Sequence, residues 1–475
     1  MKSANHTRML RHLCETSHLH FTKYFFKERE VSKFIMSRHH ALVCHTLDRV
    51  LSGEIKRLII NVPPGYTKTE LAVLHFIARG LAINPRAKFI HTSYASSLVN
   101  LNSSKTKEII QSEAFQKLWP MQLKQDMKGK KEWYNTEGGG LYVAPSGGAI
   151  IGFRAGRMEP GFTGAFICDD PLNTDHAFSD PKKNRMNGRF PGVYRSRLAH
   201  QDVPMIVIMQ RVAPDDPTAF LLNGGTGEVW HHLNLPITID HSKPTPKYSH
   251  SIPIPHNLPE GPLWEEKHNE DQIEELKSER FSYAAQYMQD PLSLGGNLID
   301  LTKCSRYTGE IVRGLNDKLT LSFDTANKDG ELNDYSVCQV WLAKCGGKKY
   351  LLDIWRERVK YPVLKKTTSD LISKWQPNEI LIEDKASGQQ LIQELQLLGV
   401  QNVIAIEPGR ESKVMRMANE VSPIDNGTVV LPEQATWLFD FEKECKEFPS
   451  GTKDNVDSMS QYLKRERTRF DVYIG

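Results

Sequence analysis

Apolar runs of strand length alternate with helical stretches through the first half of the chain, and this alternation restricts the fold more than any other feature. The runs are "RLIINV", "KFIHTSY", "GAFICDD" and "VPMIVIMQ". Strands that alternate with helices predict an α/β fold built on a mostly parallel sheet. At 475 residues the chain exceeds what one hydrophobic core serves, so two or three domains are expected. The stretch 235–260, "LPITIDHSKPTPKYSHSIPIPHNLPE", is rich in Pro, Ser and His and reads as an extended connector. A helical stretch, "EDQIEELKSERFSYAAQYMQD", follows it. A second strand series then begins: "LTLSFD", "SVCQVWLA" and "KYLLDIW" lie close together as in a meander, and helical patterns separate "EILIED" and "NVIAIE". The expected organisation is a helical segment at 1–50, an α/β core at 51–235, a connector and helical linker at 236–300, and a second domain at 301–475.

Several classes are disfavoured. No run approaches the roughly 18 apolar residues that span a bilayer, and the polar, His-rich start has no signal-peptide core, so no membrane association and a cytoplasmic location are expected. A formal charge of +4 permits nucleic-acid binding without arguing for it. Seven scattered cysteines without a C-x-x-C pair disfavour a zinc module or a disulfide framework. Cys14, His18 and His20 have no second ligand pair at finger spacing and read as part of a solvated N-terminal helix.

The stretch "IINVPPGYTKTEL" runs strand, Gly/Pro turn, Lys-Thr pair, helix. Leu71, Leu74, Ile77, Ala78 and Leu81 recur at helical spacing, which puts Lys68 and Thr69 at a helix N-terminus. Free N–H groups and the helix dipole attract phosphate there. A lysine in that place can reach the β/γ-phosphates of ATP, and a Thr hydroxyl can bind Mg²⁺. Pro63, Pro64 and Gly65 form a stiff turn, so Pro64, Gly65, Tyr66, Thr67, Lys68 and Thr69 are the expected nucleotide-binding residues. The strict phosphate-loop pattern fails at both glycines, where Val62 and Thr67 stand; a surface lysine after a turn is the competing reading.

Further along, "GAFICDDP" ends an apolar strand in two carboxylates. Asp169 suits the Mg²⁺ role and Asp170 the water-orienting role, although Asp-Asp-Pro is also good turn chemistry. In "MIVIMQRVAPDD", Gln210 and Arg211 end another strand, where a γ-phosphate can be sensed. Arg154 and Arg157, in the glycine-rich "GGAIIGFRAGRMEPGFTG", are candidates for transition-state charge or DNA contact, or are plain surface residues.

The second half carries spaced acids. Asp324 ends "LTLSFD", Glu383 and Asp384 end "EILIED", and Asp454 and Asp457 open "DNVDSMSQYL". Acidic positions at two strand ends and a helix start suit a two-metal phosphodiesterase using Mg²⁺ or Mn²⁺. The Asp-x-x-Asp spacing puts Asp454 and Asp457 on one helix face, where both can serve one metal. Asp454 is also a plausible N-cap. Asp334 is a weaker candidate, and Lys385, Lys413 and Arg416 could meet DNA phosphates.

In order and spacing, the Pro-Pro-led loop, "FIHTSYASSLV", "GFTGAFICDDPLN", "VIMQRVAPDDP", "FDTANKDGELNDYS", "IEDKASGQQL" and "KDNVDSMSQYL" resemble the large subunit of tailed-phage terminases over most of the chain. The resemblance implies a P-loop ATPase of additional-strand RecA-like fold followed by an RNase H-like nuclease. It implies ATP-driven packaging of double-stranded viral DNA and metal-dependent cleavage of concatemers. The implied partners are DNA, a portal protein and a small terminase subunit, with five copies at the portal. The family's nuclease acids map to Asp324, Glu383 and the pair Asp454/Asp457; Glu383 is preferred over Asp384 because Gly388 follows it at the family's spacing. Many members carry a loop arginine where Gly65 stands, which leaves Arg154, Arg157 and Arg211 as replacements. The alternatives are another P-loop translocase or helicase with a resolvase-like nuclease, and an inactive prophage remnant that binds DNA or portal.

Overall fold

The computed structural model describes residues 2–30, 34–177, 179–242, 250–291, 298–325, 335–385, 387–407, 413–449 and 452–474. The chain divides into two compact units, Met1–Ser293 and Leu294–Gly475. Both are mixed α/β, as the alternation of strand and helix patterns predicts.

In the first unit one sheet holds β1 (Arg57–Asn61), β2 (Lys88–Ser93), β3 (Leu123–Lys128), β4 (Glu132–Asn135), β5 (Gly140–Pro145), β6 (Phe166–Asp169), β7 (Met205–Met209) and β8 (His231–Asn234). Its order is β3-β4-β5-β2-β6-β7-β1-β8. From β5 to β8 every neighbour is parallel, while β4 joins β5 antiparallel and β3 joins β4 antiparallel. A short ribbon of β9 (Thr238–Ile239) and β10 (Gly261–Pro262) stands apart.

Alternation along the strands explains why the runs are apolar throughout. Leu58, Ile60, Ile206 and Ile208 enter one core, and Ile59, Met205, Val207 and Met209 enter the other. Successive strand residues face opposite sides, so a sheet covered on both faces needs apolar residues at every position. The first core is closed by α1 (Lys2–Thr16), α2 (His18–Glu30), α3 (Arg38–Leu51) and α4 (Phe76–Ile83). The second is closed by residues such as Met186, Phe190 and Tyr194. Fully burying each Leu or Ile contributes about 1.5–3 kcal/mol.

Cys14 and His18 are not solvated, contrary to the sequence reading, whereas His20 is exposed, as that reading has it. Cys14 and His18 are fully buried. His18 Nε2 meets the Leu71 carbonyl at 2.9 Å, and Arg79 donates to the Cys14 carbonyl at 2.9 Å. These contacts tie α1 and α2 to the helix that follows the Lys-Thr pair. The sequence hid this because their polar residues bond inside the core instead of marking an outer face.

The second unit has a sheet of β11 (Ser305–Tyr307), β12 (Lys318–Asp324), β13 (Ser336–Ala343), β14 (Lys349–Glu357), β15 (Glu379–Glu383), β16 (Val403–Ile406) and β17 (Val429–Pro432), ordered β11-β17-β14-β13-β12-β15-β16. β12, β13 and β14 form the predicted antiparallel meander, and β15 and β16 extend it in parallel from β12. The final helix, Asp454–Ile474, is pinned across this sheet. Ser322 and Ser458 exchange side-chain-to-carbonyl hydrogen bonds at 2.8 Å each, Gln339 donates to the Asn455 carbonyl at 2.9 Å, and Tyr462 stacks on Trp341 at 4.6 Å.

Buried imidazoles set a pH limit on the first unit. Burial holds His18 down to about 3, His39 to about 4, His40 to about 2, His91 to about 4 and His232 to about 3, and pushes His75 well below its ordinary value. The folded unit keeps these rings neutral, whereas the unfolded chain protonates them as pH falls through about 6.5. Stability is therefore lost as pH falls below about 6.5, down through the folded values of about 4 to about 2. Asp169, pushed up to about 7, acts in the opposite sense, as do Asp324 and Asp457 of the second unit, but these are fewer than the six buried rings. The urea midpoint of the full chain is expected to fall steadily over that window, and His18→Gln is expected to make the fall shallower.

Candidate functional site

The parallel pairing brings the carboxyl ends of β1, β2, β6 and β7 to one edge of the sheet, where ligands collect in open α/β folds. A cavity of about 500 Å³ lies there. Its lining includes Pro64, Gly65, Thr67, Lys68, Thr69, Asp169, Asp170 and Gln210, so segments far apart in sequence meet as expected. Thr69 Oγ1 donates to Asp169 Oδ2 at 2.8 Å. The Lys68 ammonium pairs with Asp170 at 3.0 Å and also hydrogen-bonds Gln210 Oε1. Asp169 Oδ1 is buried without a hydrogen-bond partner, and burial and then Asp170 push this carboxyl up to about 7 against the pull of Lys68 and Thr69. A buried acid with an open oxygen, next to a threonine hydroxyl, suits a hard divalent cation.

Other expected residues lie elsewhere. The Tyr66 side chain turns into the core, where its hydroxyl meets His268 Nδ1 at 3.0 Å, and only the backbone of this residue belongs to the loop. Arg211 does not line the cavity. It is buried in an ion pair with Asp216 at 2.9 Å, and its amide donates to Gln289 at 2.9 Å. Arg157 donates to the carbonyls of Arg86 and Gly138 at 2.6 Å each, a loop-tying role, and Arg154 is exposed. Phe26, Ser93, Tyr94, Leu98 and Asn102 also line the cavity and were not singled out from sequence. The end of "KFIHTSY" was the available signal, because it is one more parallel strand end.

The second unit gathers the acids at the end of β12. Asp324 is raised well above the usual carboxylate range by burial first and then by Asp457, Glu383 and Asp454, with Lys413 opposing. Burial also pushes Asp457 up to about 6, against the pull of Lys413 and Arg416. Lys413 forms an ion pair with Asp457, and Arg416 reaches Glu383 at 3.3 Å and Asp457 at 3.8 Å. Gly388 allows the helix Ser387–Leu397 to approach β15, since a Cβ there would stand 2.2 Å from the Glu383 carbonyl oxygen. The two helix acids part company: Asp457 is buried with the cluster, whereas Asp454 is partly exposed and 3.6 Å from Arg356. Glu444, missed from sequence, caps this helix by accepting from the amides of Asn455 and Val456 at 2.7 and 3.2 Å. Asp384 is half-buried with its amide tied to the Ile406 carbonyl, Lys385 is exposed, and Asp334 lies outside the described residues. Among the described residues, no three acid, His or Cys side chains are drawn together as a metal-coordinating group. Burial first, and then neighbouring carboxylates, make Asp324 and Asp457 resist ionisation, which is the charge problem that divalent cations relieve.

Residues 321–466 match the family model described as the terminase RNaseH-like domain. The matched stretch falls within the second unit. Similar solved structures include the large terminase of a thermophilic bacteriophage in complex with ADP, with 10% identity over 88% of this chain and 98% of that one and a TM-score of 0.39. The HK97 bacteriophage large terminase shares 10% identity over 91% and 96%, with a TM-score of 0.36. The large terminase nuclease of thermophilic phage G20c with bound magnesium shares 14% over 36% and 99%, with a TM-score of 0.29. No curated protein matches the chain.

The loop before Lys68 carries measurable strain. Thr67 has φ 58°, a left-handed conformation that costs a β-branched residue about 1–2 kcal/mol. Its hydroxyl donates to the Tyr66 carbonyl at 2.8 Å, which offsets part of that cost. Thr67→Gly is expected to raise the thermal midpoint of the full chain by about 2–4 °C. A lowered midpoint would show that the hydroxyl contact outweighs the strain.

Proposed function

We propose that the chain is a terminase large subunit that hydrolyses ATP at the Lys68 cavity to drive double-stranded DNA into a procapsid, and cuts concatemeric DNA at the Asp324 cluster. The observation that carries the reading is the presence of two chemically distinct acidic sites, one at each unit's strand ends. In the first, the loop amides and Lys68 hold the phosphates, with Lys68 exchanging Asp170 and Gln210 for phosphate oxygens. Thr69 and Asp169 are the residues that would hold Mg²⁺, which supplies charge for the transferring phosphoryl group. Asp170, released from Lys68, orients or deprotonates the attacking water, and Gln210 reports the phosphate at the end of β7. Arg211 is committed to Asp216, so it is assigned to fixing the turn after β7.

In the second site, Asp324, Glu383 and Asp457 would hold Mg²⁺ or Mn²⁺, with Asp454 at the margin; when bound, such ions would supply charge for activating water and stabilising the leaving oxygen. Lys413 and Arg416 neutralise the acids until then and afterwards are free for DNA phosphates. Phosphate contacts carry no sequence information, so DNA handling is expected to be sequence-tolerant and salt-sensitive. Family resemblance supplies the remaining parts of the proposal: a portal, a small subunit, a ring of five copies, and work in the host cytoplasm. Lys68→Ala is expected to lower ATP hydrolysis by roughly 10²–10³-fold while plasmid cutting with Mn²⁺ persists, and Asp324→Ala to do the reverse. Equal loss of both activities in folded protein would sink the two-site reading.

A further inference from the structure

The nucleotide cavity is short of positive charge. Its lining offers one amine, Lys68, against the carboxylates of Glu70, Asp169 and Asp170. Arg29 offsets Glu70 at 2.7 Å, but two carboxylates still face one lysine. A bound polyphosphate adds further negative charge, and burying it without matching cations is costly. Neighbouring basic groups are committed: Arg211 to Asp216, Arg157 to two backbone carbonyls, and Arg79 to Asp48.

Lys267 differs from these. It lies on the connector turn that ends at His268, and its amide donates to the Trp264 carbonyl at 3.1 Å. That turn is held against the phosphate loop, because Trp264 packs edge-on to Tyr66 at 5.7 Å and His268 bonds the Tyr66 hydroxyl. The Lys267 chain end lies over Gly65: a Cβ built on that glycine would stand 3.0 Å from its Cε and 3.1 Å from its Nζ. Gly65 itself lines the cavity. Among the described residues no carboxylate pairs with this ammonium. The space that a side chain at position 65 would take is thus filled by a cation from about two hundred residues downstream. We propose that Lys267 contacts the polyphosphate of the bound nucleotide, supplying from the connector the second cation that the loop lacks. The proposal rests on reading the Lys68 cavity as a nucleotide site.

The test uses the full chain, steady-state hydrolysis of Mg²⁺·ATP, and the variants Lys267→Met, Lys267→Arg and Lys68→Ala. Lys267→Met keeps the length and removes the charge; it is expected to lower kcat/KM by roughly tenfold to a hundredfold, with an unchanged thermal midpoint. Lys267→Arg restores the charge and is expected to stay within about threefold of the parent. Parent-like kcat/KM in Lys267→Met would overturn the proposal, and so would equal losses in Met and Arg accompanied by a lowered midpoint, which would mark a packing role. If Lys68→Ala still hydrolyses ATP, the nucleotide reading fails and this proposal fails with it. If Lys68→Ala is inactive and Lys267→Met is not, only the role of Lys267 is lost.

Discussion

Parallel pairing of β6, β7 and β1 sets Asp169 beside Ile208 and Asn61 beside Met209, and the whole first site depends on that register. A one-residue slip would turn every side chain of a strand to the opposite face. It would also move Asp169 away from Thr69 and Gln210 away from Lys68. The register is held because Leu58, Ile60, Ile206 and Ile208 have to face one core while Ile59 and Val207 face the other. Hydrophobic burial on both faces therefore performs the positioning that the chemistry requires. At the strand end Asn61 adds to it, donating to the Met209 carbonyl at 3.1 Å.

The second unit solves the same problem with a helix in place of a parallel neighbour. Asp457 reaches Asp324 because the final helix is bolted to β12 and β13 through Ser322, Ser458, Gln339 and the Trp341–Tyr462 stack. Glu444 supplies the acceptor for the first amides of that helix. Its burial and its hydrogen bonds make it a support whose loss would loosen Asp457 without removing any acid from the cluster.

Much of this was legible in sequence because strand ends are marked by a change from apolar to polar residues. "GAFICDD", "VPMIVIMQ" and "LTLSFD" each announced both a strand and the group at its tip. The residues that were misplaced share a physical cause. Tyr66, Arg211 and His18 are polar or amphipathic residues whose partners, His268, Asp216 and the Leu71 carbonyl, are supplied by tertiary packing. No local pattern shows whether a polar side chain faces a ligand or a buried partner. Asp454 and Asp457 show the same limit: helical spacing put them on one side of the helix, but the neighbours Arg356 and Lys413 drew them into different surroundings.

Both sites also hold their acids in check with internal cations, and this bears on how each can work. Lys68 bridges Asp170 and Gln210, while Lys413 and Arg416 lie on Asp457 and Glu383. A buried carboxylate without such a partner would take up a proton instead of staying charged. The counter-charges keep the acids usable, yet each has to leave its acid before that acid can act on a metal or a water. On the proposed reading, an incoming phosphate would compete for Lys68, and its binding would free Asp170. In the second site, a metal held by Asp324, Glu383 and Asp457 would leave Lys413 and Arg416 available to the phosphates of DNA. The resting ion pairs of each unit would then make activation conditional on the ligand.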